Sequence, residues 1–215
     1  MSQTTILRDR VKDHLLGQIE NGELVIGKTI NLAALSRTIG ISVTPIREAL
    51  SQLEQARVIK AIPNRGFVVT DLTIIEAKNL YETIAQLEVM ALEASTFEPG
   101  DIEALRNKTE QLQEEKSLNN RFEFHRLLIK NCTNSVLLQT LESLKVRLRF
   151  YEQAHATDSI FFETANRQNR SIVQAIAQDN IPTAALILKM NWMAVLEHVQ
   201  LKINGQTVEN QNKSN

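Results

Sequence analysis

Ser42, Thr44 and Arg47 lie close together in the run Ile41-Ser42-Val43-Thr44-Pro45-Ile46-Arg47-Glu48-Ala49-Leu50. Their shared chemistry is hydrogen bonding. Two hydroxyls both donate and accept, and a guanidinium fork matches a phosphate or the O6 and N7 of guanine. The run reads as the start of a helix. Ser42 is placed to cap it by accepting from a free backbone N–H. Pro45 falls in the first turn, where a missing N–H costs little. Ile46, Ala49, Leu50 and Leu53 recur at helical spacing as an inward stripe. Thr44 and Arg47 lie off that stripe near the N-terminal end, where a DNA-recognition helix presents its base-reading side chains.

Such a helix needs a support. Leu32 to Ile39 reads as a short amphipathic helix, capped by Asn31 and ended by Gly40 in a left-handed conformation. Two short helices joined at Gly40 form a helix-turn-helix. Val58 to Ile62, then Pro63-Asn64-Arg65-Gly66, then Phe67 to Thr70 read as strand, turn and strand, a two-stranded wing with Arg65 near its tip. Thr5 to Asn21 supplies a first helix. Between Leu24 and Thr70 six basic residues face only Glu48 and Glu54, leaving +4, although the whole chain carries a net charge of -1. That split is expected of a nucleic-acid-binding head on a body that does not bind DNA.

The rest of the 215 residues reads as helix: about Ile74 to Thr96, Gly100 to Leu118, Arg121 to Cys132, Ser135 to His155, Ser159 to Gln178 and Ile181 to Ile203. Seven Gly and four Pro are few for this length and favour long helices over a β-rich fold. The fold class is therefore mainly α: a winged helix-turn-helix over residues 1–72, an all-helical bundle over 73–203, and a polar tail over 204–215 expected to be disordered. The single cysteine, Cys132, excludes an internal disulfide and reads as a small buried apolar residue. No apolar run reaches transmembrane length and the N-terminus lacks a signal pattern, so a cytoplasmic protein with no membrane partner is expected. No acid/base pair, nucleophile elbow or cofactor loop occurs at a plausible spacing, which argues against an enzyme and against a cofactor.

Residues Thr5 to Leu72 resemble the DNA-binding domain of the GntR family of bacterial transcription regulators. The resemblance is carried by Gly22-Glu23-Leu24, Leu32-Ala33, Gly40 to Leu50 and Pro63-Asn64-Arg65-Gly66. It implies DNA contacts from Ser42, Thr44, Arg47, Arg65 and Gly66. The chain departs from the family at Val43, where an arginine is usual. The six helices behind the head resemble the FCD effector domain of the FadR branch, in its short six-helix form. The landmarks are Leu80-Tyr81-Glu82, Leu87-Glu88, Phe124-His125, Asn134, and Arg170 to Ile176 with Asp179.

Many FCD domains hold a divalent metal through an aspartate, the histidine of the Phe-His pair and two later histidines. Carried onto this chain, those positions are Arg121, His125, Asn169 and Asn191. Arginine offers no lone pair to a metal and asparagine replaces imidazole poorly, so no metal site is expected. Ile84 stands where an arginine often reads an effector carboxylate. If the family geometry holds, Arg121, His125, Asn169 and Asn191, with Arg147 from Leu144-Lys145-Val146-Arg147-Leu148-Arg149, line a polar pocket. Arg121 would hold a small carboxylate or phosphate, His125 would be a second donor, and the asparagines would fix orientation. Other readings stand beside this one. Arg121 could be a surface arginine, His125 a hydrogen-bonded core histidine, and the two asparagines a pair bonded to each other. The functional expectation is a sequence-specific regulator, a repressor, that binds a palindromic operator in double-stranded DNA as a homodimer and responds to a small anionic effector. The alternative is a DNA-binding regulator whose C-terminal domain only dimerises.

Overall fold

The structure is a computed structural model, and it describes all residues except 1–2, 21–22, 25–26, 56, 64–65, 71–72, 153–158 and 213–215. The chain divides into two compact units, Met1–Leu72 with Arg149–Ala154, and Thr73–Leu148 with His155–Asn215.

The first unit opens with α1 (Gln3–Glu20), followed by β1 (Thr29–Ile30), α2 (Leu32–Ile39), α3 (Val43–Gln55), β2 (Ile59–Ile62) and β3 (Gly66–Val69). Local chemistry sets α2. The Asn31 side chain accepts from the N–H groups of Ala33 and Ala34, and Gly40 closes the helix at φ 66°, a left-handed conformation that glycine adopts without a Cβ penalty. Ile46, Ala49, Leu50 and Leu53 form the buried stripe of α3, which packs on α1. Each fully buried Ile or Leu in such a stripe contributes about 1.5–3 kcal/mol, enough to fix which face of α3 is left to solvent.

The wing differs from the two strands expected. It is a three-stranded antiparallel sheet in the order β1-β3-β2, with Ile30 opposite Phe67 and Ala61 opposite Phe67 on the other side. Two residues are too few to show alternation, and β1 exists only because β3 pairs with it from far along the chain. Gly66 is what lets the strands meet. It holds φ 90°, and a Cβ there would lie 2.8 Å from the Ile30 carbonyl oxygen.

The second unit contains α4 (Ile74–Glu93), α5 (Pro99–Glu114), α6 (Leu118–Leu128), α7 (Ser135–Glu152), α8 (Ser159–Ala177) and α9 (Ile181–Asn212). Polar caps start several of them. Thr73 accepts from Glu76 N–H, Ser117 from Asn120, Asn134 from Leu137 and Asn180 from Thr183. The Ser117 cap corrects the expected break at Asn119-Asn120: α6 begins at Leu118, so Arg121 stands inside the helix rather than at its first residue. The C-terminal end also differs. Residues 204–212, read as disordered, continue α9. A polar composition does not forbid a helix, and the lone Gly205 costs only about 1 kcal/mol in a helix interior. In the core, α9 packs against α4 and α8, and α5 against α6 and α8.

Candidate functional site

On α3 the sequence separates two faces. Ile46 and Ala49 are fully buried, whereas Ser42, Val43, Thr44, Arg47 and Glu48 are exposed at the N-terminal end. Val43 and Arg47 are four residues apart and therefore neighbours on one helical edge. The structure thus brings together three of the sequence-predicted DNA-contact residues, Ser42, Thr44 and Arg47, on one solvent-facing surface. Arg65 lies outside the described residues. Gly66 is placed at the start of β3, where its close approach to Ile30 explains why the position needs glycine.

The second unit holds a buried polar cluster. Arg121, His125, Asn169 and Asn191 are all almost inaccessible to solvent, as are Glu88 and Lys145. Glu88 is the hub. One carboxylate oxygen accepts from Trp192 Nε1 at 2.6 Å and lies 2.7 Å from His125 Nδ1; the other pairs with Lys145 Nζ at 2.7 Å. Burial works against a charge on Glu88, but His125 and Lys145 outweigh it and hold the carboxyl at about 2. An ionised carboxylate only accepts, so His125 Nδ1 carries the proton. The Arg121 guanidinium lies 4.6 Å from the centroid of the Trp192 ring, and the His125 ring lies 4.4 Å from the same indole.

Burial is also the largest influence on His125. Glu88 pulls its pKa up, Arg121 and Lys145 push it down, and the net result is about 4. At neutral pH the imidazole is therefore uncharged, and Nε2 presents a lone pair that has no hydrogen-bond partner among the described residues. This changes the expected role: His125 offers an acceptor, not a second donor. The asparagines are paired as one of the readings had it, with Asn191 Nδ2 donating to Asn169 Oδ1 at 3.2 Å and to Ala165 O at 3.0 Å. Arg147 forms an ion pair with Glu76 on α4. Ile84 is fully buried.

The hub residues Glu88, Lys145 and Trp192 were missed as site residues, although two of them leave a signal. Glu88 interrupts the α4 stripe of Leu80, Tyr81, Ile84, Ala85, Ala91 and Leu92. Lys145 interrupts Leu137, Leu141 and Leu148 on α7. A charge inside an apolar stripe needs a buried partner.

The position where many FCD domains hold a metal falls in this cluster, but its residues do not fit one. His125 Nδ1 is committed to Glu88, the asparagines bond each other, and Arg121 would repel a cation. Among the described residues no group of three or more His, Cys, Asp or Glu side chains could hold a metal ion.

The two protonation states set a pH dependence. As pH falls from 6.5 towards 4, the unfolded chain protonates His125 while the folded chain does not, so stability is lost. Between 4.5 and about 2 the unfolded chain protonates Glu88 first, with the same sign. Nitrogen-detected NMR is expected to show His125 as a neutral Nδ1–H imidazole at pH 7 that does not titrate above pH 5. A midpoint near the ordinary histidine value would contradict the burial argument.

The comparisons with known proteins follow the same division. Residues 7–69 match the bacterial regulatory proteins of the gntR family, and residues 79–191 match the FCD domain. The chain is 29% identical over 199 residues to the HTH-type transcriptional regulator YdhC of Bacillus subtilis, covering 87% of this chain and 88% of that protein. It is 21% identical over 210 residues to the HTH-type transcriptional repressor GlaR of Escherichia coli, covering 89% and 94%. The solved structure of E. coli McbR/YncC superposes with a TM-score of 0.77 at 21% identity, covering 92% of this chain and 98% of that one. These relatives are regulators of transcription, not enzymes. Among the described residues no helix is long and apolar enough to cross a membrane. With its head and its helical unit both matched, the chain belongs to the gntR family of bacterial regulatory proteins, as a DNA-binding transcription regulator carrying an FCD domain.

Proposed function

We propose that the chain is a cytoplasmic repressor that binds a two-fold symmetric operator as a homodimer, and that its helical unit senses a small anion. The observation that carries the DNA half is the exposed edge of Ser42, Thr44 and Arg47 on a helix whose opposite face is sealed. One such edge covers a single half-site, and a two-fold dimer requires a palindrome. The helical unit offers apolar surface for self-association: Ile75 and Met90 on α4, and Leu186 and Met190 on α9, are all more than half exposed. Repression is the mode in the name of the E. coli relative GlaR. The buried guanidinium of Arg121 favours a carboxylate or phosphate, with the Asn169–Asn191 pair shaping the site. An effector acts only through its different affinity for the operator-bound and free arrangements.

One observation favours a second reading, a unit that dimerises and senses nothing. Both oxygens of the Glu88 carboxylate are engaged within the unit, by His125, Lys145 and Trp192. One experiment separates the two. Light scattering at micromolar concentration is expected to give twice the 24.3 kDa chain mass. A thermal-shift screen of small carboxylates and phosphates is then expected to yield stabilising anions whose effect disappears in Arg121→Gln. A dimer that no anion stabilises would leave the second reading. A 24.3 kDa species on operator DNA would end both.

A further inference from the structure

Val43 is the first residue of α3, and its side chain is 38% exposed. Neither helix capping nor helix propensity calls for a valine there. It cannot cap, its β-branch lowers helix propensity, and it lies outside the buried stripe of Pro45, Ile46, Ala49, Leu50 and Leu53. It stands instead beside Arg47 on the outward edge, with exposed Ser42 and Thr44 next to it. An isopropyl group gains nothing from a phosphate or from a base-edge donor or acceptor. The major groove presents one apolar group, the C5-methyl of thymine.

We infer that Val43 reads a thymine methyl in each operator half-site, within two base pairs of the Arg47 contact. Side chains four apart on a helix are about 5–6 Å apart. Stacked bases are about 3.4 Å apart along a strand. The thymine therefore lies one or two base pairs from the Arg47 contact. The inference rests on α3 being the helix that enters the groove, and its test separates the two claims.

A binding site is first selected from random DNA with the wild-type dimer. Each thymine of the half-site is then replaced by deoxyuridine, which removes only the methyl. At one position wild-type affinity is expected to fall about fourfold, the worth of one methyl withdrawn from an apolar contact. Val43→Ala is expected to bind the thymine and uracil sites within twofold of each other. Repeating the selection with Val43→Arg is expected to move that position towards guanine. Val43 is exposed, so neither change disturbs the core, and thermal unfolding checks this. If Arg47→Ala weakens binding but no thymine shows a Val43-dependent loss, Val43 does not read a methyl, while α3 remains the reading helix. If neither the Arg47 nor the Val43 variants alter affinity or preference, α3 is not the reading helix and both claims fall.

Discussion

Replacing Glu88 with glutamine is expected to lower the stability of the helical unit by about 3–5 kcal/mol, the cost of removing one partner from a buried ion pair. The substitution keeps the shape of the side chain and removes its charge. Lys145 then keeps its ammonium in a site where its side chain is 6% exposed, facing an amide instead of a carboxylate. His125 and Trp192 lose a charge-assisted acceptor at 2.7 and 2.6 Å. In a protein of this size each kcal/mol moves the unfolding midpoint by about 2–4 °C, so a drop of roughly 10 °C is expected. The double variant Glu88→Gln/Lys145→Met removes the stranded charge and is expected to recover a large part of the loss. If Glu88→Gln alone unfolds within 2 °C of the wild type, the buried network contributes little to stability.

How far each part of the molecule could be read in advance follows from the range of the interactions that make it. Asn31, Gly40 and the stripe from Ile46 to Leu53 act over a turn or two of chain, so α2 and α3 were legible as a recognition unit. The outward edge holding Thr44 and Arg47 is the complement of that stripe, and it came with it. The third strand was hidden because Thr29 and Ile30 are strand only through their pairing with β3. The polar cluster was half legible. Arg121, His125, Asn169 and Asn191 could be gathered only by resemblance to a fold, whereas Glu88, Lys145 and Trp192 are joined across 57 and 104 residues of sequence. Periodicity marks Glu88 and Lys145 as charges in apolar stripes, but it cannot say which charge answers which.

The second large effect lies on the recognition helix. Arg47→Ala is expected to weaken operator binding by about 1–3 kcal/mol, roughly fivefold to 150-fold. Arg47 is exposed and its neighbours on the buried side, Ile46 and Ala49, are fully covered. Its loss should therefore leave the unfolding midpoint unchanged. In contrast with Glu88→Gln, affinity moves and stability does not. If it reaches a guanine edge, the loss is concentrated on sites carrying that base pair. If it reaches a phosphate, the loss is uniform across sequences and the salt dependence becomes shallower.

Whether α3 reads the operator is tested by titrating wild-type protein and Arg47→Ala, at physiological salt, against the site that wild type selects from random DNA. A selected site with two-fold symmetry, bound by a dimer, is expected, with a loss of about fivefold or more in the variant and its thermal unfolding unchanged. A selection that enriches no sequence, or a variant that binds the selected site as tightly as wild type, would contradict that reading.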